Sequence, residues 1–274
     1  MKSLAYLTVV STILLLVISQ SQAVPQLRQV GQRWPANQQV SIDQVDHSPF
    51  TQLLGKYVNA DGEVNYAGWK NSSADRSALQ NYLKSLSQAN PRTQASRQAI
   101  MAFWINAYNA VTLEGMLEVY PTSSIRKHTN KLGYNVWTDL KLQVGEQQIN
   151  LEDIEHKVLR KMNEPRIHFA IVCASVGCPR LLSEAYTAQK LEQQLVVNTK
   201  DFFSRQRNLT ASNGQIGLST IMKWFGSDFG PDQNSQLRAV GKYFPQSAQE
   251  VLRRGGFSVR YLDYDWNLNE QRRK

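Results

Sequence analysis

Cysteine and histidine are scarce in this chain, with two cysteines and four histidines in 274 residues. So few thiols exclude a fold held by a disulfide framework. No C-x-x-C pair and no H-E-x-x-H occurs, so the usual zinc signatures are missing. A phosphate-cradling glycine loop and a G-x-S-x-G nucleophile elbow are absent as well, which removes the common sequence grounds for a nucleotide-binding protein or a serine hydrolase. No internal repeat is visible, and no cysteine follows the N-terminal apolar run to serve as a lipid anchor.

That run, Leu4 to Ile18, follows Lys2 and leads to Ser21-Gln22-Ala23. It is short for a spanning helix, and small residues stand where a signal peptidase reads. The spacing predicts a signal peptide over residues 1–23, cleaved before Val24, and a secreted or periplasmic protein with no stable membrane insertion afterwards. Residues 24–45 are rich in glutamine and contain Pro25 and Pro35, which predicts an extended or mobile leader. The globular part is expected over 46–270 as a single domain, since no second compositional block appears. Lys and Arg number 31 against 22 Asp and Glu, a net charge of +9. The basic residues are scattered, with only Arg272-Arg273-Lys274 clustered, so a solvated surface is expected and nucleic acid is not.

Helical spacing marks Phe50 to Tyr57, Asp75 to Gln88 and, most strongly, Thr93 to Val119. The last is apolar nearly all round and should be buried, which makes Asn106 and Asn109 conspicuous. Each must find partners there, as latches for a neighbouring loop or as donors beside a site. Between Gly133 and Gly145 a short hairpin is expected. A helix capped by Asn150 follows, with Glu152 and His156 four apart on one side and Glu155 and Arg160 elsewhere on its surface. Ile167 to Ser175 reads as a central strand. Thr187 to Arg207 is an amphipathic helix, Ile216 to Phe225 runs from strand into short helix, and Phe257 to Tyr261 alternates as a closing strand. Helices and strands mix without regular alternation, which favours an α+β or papain-like layout over a doubly wound one.

Both cysteines fall in R-I-H-F-A-I-V-C-A-S-V-G-C-P-R-L-L, residues 166–182, beside His168. On a strand His168 and Cys173 would point to opposite faces. Cys178 follows a turn, where Pro179 can open a helical turn whose amides would lower the thiol pKa. Cys178 is therefore the preferred nucleophile and Cys173 the reserve. His156 or His168 is the candidate base, Glu155 or Glu152 its orienter, and Asn106 a candidate donor to an oxyanion or the imidazole. Competing readings are a Cys173–Cys178 disulfide and a zinc site using both sulfurs with His156 and His168.

Five ordered blocks carry a family resemblance: F-W-I-N-A-Y-N-A, Y-P-x-S-S-I-R, L-E-D-I-E-H-K-V-L-R, R-I-H-F-A-I-V-C-A-S-V-G-C-P and Y-D-W-N-L-N. Together they resemble the bacterial and plant proteins grouped as domain of unknown function family 547, over about Asp46 to Asn269. The resemblance implies a papain- or transglutaminase-like α+β fold with a central antiparallel sheet and a cysteine-centred site. A papain-type site places its nucleophile before its histidine, so pairing Cys178 with His156 or His168 requires a permuted order. The expected activity is thiol-dependent acyl transfer, as an amidase or peptidase on a small peptide or wall-derived amide, with neither cofactor nor metal. The alternative is a non-catalytic binding module stapled by the disulfide, its basic surface docking an anionic polymer.

Overall fold

The computed structural model describes residues 28–129, 135–212 and 214–271. The expected signal peptide, residues 24–27 of the leader and the basic tail lie outside them.

The organising element is the Arg97–Val119 helix, capped by the Ser96 side chain on the Ala99 amide and buried on every face from Met101 to Leu117. Such a helix must be surrounded. The Ser48–Tyr57 and Ser73–Ser87 helices pack with it, through stacked Phe50 and Tyr82 and an apolar seam of Leu79, Leu83 and Leu86. A second, smaller cluster forms where Phe169, Phe202, Phe203, Leu237 and Phe244 meet the apolar face of a sheet. The site lies where these two clusters join.

The sheets are small. Strand β1 (Arg28–Val30) pairs parallel with β2 (Leu140–Val144), and β2 pairs antiparallel with β3 (Gln147–Ile149); this hairpin lies later than the one expected between Gly133 and Gly145, because Val136–Asp139 is helical and the turn falls at Gly145. In the second sheet β4 (Leu209–Ser212) is antiparallel to β5 (Gln215–Ser219), and β5 is parallel to β6 (Ser258–Leu262). The architecture is α+β, and among the described residues the named strands form two three-stranded sheets.

Two further expectations are corrected at this level. The folded part extends back at least to Arg28, because β1 joins a sheet and Ile42 is buried in the main core, so 28–45 is no free leader. The Ile167–Ser175 segment is not a strand. Pro165–Phe169 is a 3-10 turn opened by the Glu164 side chain on the Arg166 amide, and an irregular path follows. Its all-round apolarity has a different cause. Asn109 donates to the Ala170 carbonyl and accepts from the Val172 amide, while Asn198 donates to the Phe169 carbonyl. Buried backbone groups need partners, and here side chains of two helices provide what a sheet would have provided.

Candidate functional site

The Asn109 latch leads directly into the cysteine loop. Ala174 sits in left-handed backbone at φ 58°, a conformation that costs a residue with a Cβ energy and has to be held by its surroundings. The closing segment does the holding. Asn269 donates its amide to Ala174, Val176 donates to Asn267, and Gly177 donates to Asp265. In this loop Cys173 and Cys178 are bonded as a disulfide with their Cα atoms 6.3 Å apart. No helix opens at Pro179, so the amides expected to bathe Cys178 are missing. Its Sγ instead accepts from the Cys173 amide at 2.9 Å and the Tyr264 hydroxyl at 3.2 Å. That hydroxyl also touches Ser175 Oγ at 2.9 Å and Cys173 Sγ at 3.2 Å.

Both sulfurs line a cavity of about 190 Å³ with Glu155, His168 and a set of aromatic rings: Tyr108, Trp137, Trp224, Phe225, Tyr264 and Trp266. Tyr264 and Trp266 lie 4.5 Å apart between centroids, Trp224 and Tyr264 4.9 Å, and Trp137 and Trp266 6.5 Å. Trp224 is one of the few large apolar side chains left exposed. The cavity is thus apolar and aromatic around one carboxyl and one disulfide.

Glu155 is presented by an unusual turn. Asn150 caps the Leu151–Asp153 helix through the Asp153 amide at 2.8 Å, and the chain then widens into a π-helical stretch from Ile154 to Leu159. Widening changes the angle between successive side chains, so the spacing of an ordinary helix misplaces them, and such stretches recur at functional sites. Glu155 therefore faces the cavity instead of solvent. Burial lifts its carboxyl to about 7, against a hydrogen bond from Tyr108 at 3.3 Å. It can gain and lose a proton near neutrality.

The two histidines part company. His168 is buried and lies flat on Phe225 with centroids 4.1 Å apart. Its Nε2 donates to Asp228 at 2.8 Å, and Asp228 is gripped by Arg160 through two bonds of 2.7 Å. Arg160 holds the Asp228 carboxylate down to about 2, whereas burial pushes His168 to about 4. The ring is consequently neutral, with Nδ1 as its acceptor nitrogen. With no strand here, the argument that set His168 and Cys173 on opposite faces fails, and both border the cavity. His156 is outside the lining, its Nδ1 bonded to Arg160 at 3.0 Å. Asn106 is remote from the sulfurs in its bonding. It clamps Tyr186, donating to the carbonyl and accepting from the amide at 2.8 Å each.

Of the sequence-derived candidates, the fold gathers Cys173, Cys178, Glu155 and His168 and leaves His156, Glu152 and Asn106 outside the cavity lining. Since the sulfurs are bonded together and His156 faces elsewhere, the four proposed zinc ligands do not converge. Among the described residues no cluster of three or more His, Cys, Asp or Glu could hold a metal ion, and no helix is long and apolar enough to cross a membrane. Tyr108, Tyr264 and the tryptophans were missed. Tyr264 and Trp266 stand in the Y-D-W block, but Tyr108 reads as one more apolar residue of a buried helix. Nothing in the sequence singles out Asp228.

Residues 92–203 match the family model described as "Protein of unknown function, DUF547". Neither a curated protein nor a solved structure matches the chain. The matched span holds four of the five blocks, including both cysteines, Glu155 and His168, while Tyr264 and Trp266 lie beyond it. Over those residues the chain is similar to the DUF547 family.

Proposed function

We propose that the cavity is the active site of a thiol-dependent acyl-transfer enzyme, an amidase or peptidase on a small peptide or wall-derived amide, exported and processed before Val24. The observation that carries this reading is the shared cavity of Cys178 and Glu155, a sulfur and a carboxyl poised near neutrality within apolar walls. The bonded pair is the resting state, and a dithiol reductant is the co-reactant that opens it. One reductant thiolate attacks Cys173 Sγ, Cys178 leaves as thiolate, and the second reductant thiol resolves the mixed disulfide, yielding oxidised reductant and a Cys173 thiol. The Cys178 thiolate then attacks the amide carbonyl. Glu155, protonated at this stage, delivers its proton to the departing amine and afterwards removes one from the water that cleaves the thioester. Glu155 takes the role expected of a histidine because the buried His168 is too weak a base. A papain- or transglutaminase-like ancestry belongs to this proposal, with Glu155 and His168 preceding Cys178 in a permuted order.

A second reading has its own support, the disulfide itself. A stapled loop, with Asn106 and Asn109 both spent on backbone latches, suits a binding module without chemistry. Reaction with p-nitrophenyl acetate separates the two. After reduction the enzyme releases a burst of nitrophenol equal to the protein and carries one acetyl group on Cys178. Absence of acyl-protein from reduced wild type at every pH leaves the binding module.

A further inference from the structure

We infer that the aromatic cavity is a binding site for an organic ammonium ion, quaternary or protonated, seated against Trp224, Tyr264 and Trp266 with its charge toward Glu155. Aromatic faces attract cations through their quadrupoles, most strongly when water is excluded, and rings converging on one carboxyl form the arrangement that suits a compact, weakly hydrated cation. Three observations converge. Glu155 is a half-buried carboxyl whose hydrogen-bond partner among the described residues is a neutral hydroxyl, that of Tyr108. The nearest arginine of its own segment, Arg160, is committed to Asp228. Two of the lining rings already take cations, with the Arg126 guanidinium 5.2 Å from the Trp266 centroid and that of Arg160 5.5 Å from Phe225. About 190 Å³ suits a small head group, since cavities of roughly 150 Å³ take a benzene ring.

The inference names the occupant of the cavity that the acyl-transfer reading uses. Binding is read in the oxidised protein, where no thiol chemistry runs, so either can fail without the other. The groups facing Glu155 are Tyr108, Glu152, Arg160, Asp228 and Tyr264, and burial dominates them in raising its carboxyl. The carboxylate forms as pH rises through about 7, so cation binding strengthens in that direction.

The experiment is a titration with tetramethylammonium chloride at constant ionic strength, followed by tryptophan fluorescence, with tert-butanol as the neutral isostere. Saturable binding is expected at pH 8, about tenfold weaker below pH 6, in Glu155→Gln and in Trp224→Ala. Trp224 is exposed, so its replacement leaves the core intact, and the pH series on wild type needs no variant. tert-Butanol binding as tightly as the cation, affinity independent of pH, or no saturable signal would overturn the inference.

Discussion

Glu155 exchanges its proton in a range where few carboxyls do, and that has a consequence for stability as well as chemistry. Folding raises its pKa from the ordinary 4.5 to about 7, so the native state favours the neutral form. The stabilising contribution is whole below pH 4.5 and is lost as pH rises through 7, by about 3 kcal/mol in all. Denaturation midpoints of wild type should fall across that window, and Glu155→Gln should flatten this part of the profile. Equal slopes in both proteins would remove the carboxyl from the account. Asn109 makes a separate prediction. Asn109→Ala leaves the Ala170 carbonyl and the Val172 amide without their partner, at a cost of about 2–3 kcal/mol, measurable by urea denaturation.

The cysteine segment and the closing segment act as one element although about 90 residues separate them. Gly62 adds a third strand of chain to this assembly. It sits at φ 80°, where an added Cβ would lie 2.5–2.7 Å from the Arg180 Cα and Cβ atoms and the Leu181 amide nitrogen. Gly62→Ala should therefore cost about 3 kcal/mol, in backbone strain and in displacement of the chain leaving Pro179. A thermal midpoint indistinguishable from wild type would show that this crossing is loose. Elements whose cause is local were legible in the sequence: the Arg97–Val119 helix and the strand-to-helix passage at Ser219. Ile167–Ser175 was not, because an apolar run bonded by asparagine side chains has the same pattern as a buried strand. The π-helical widening was equally hidden, and with it the inward turn of Glu155. Asn106 and Asn109 were recognised as needing partners, but only the fold could say that backbone, and not a substrate, satisfies them.

At the scale of the molecule, the two clusters meet at the cavity, and the disulfide lies at that junction. Closing so short a loop stabilises the fold by about 2 kcal/mol in the chain-entropy account. Reduction should accordingly lower the thermal midpoint by only a few degrees and leave the helical circular dichroism unchanged. Loss of the helices on reduction would make the bond a structural staple and not a resting state. The composition of the four gathered residues was foreseeable, since both cysteines, His168 and Glu155 stand in blocks within the span that the family model matches. Their aromatic enclosure was not, because it draws on four distant parts of the chain.

The most direct test is iodoacetamide alkylation of Cys178 as a function of pH, in the oxidised protein, the reduced protein and reduced Glu155→Gln. The account predicts no labelling before reduction, labelling of Cys178 afterwards, and a pH profile of that labelling that changes in the variant. A reduced Cys178 that reacts like an ordinary thiol, with the same profile whether Glu155 is present or replaced, would contradict it.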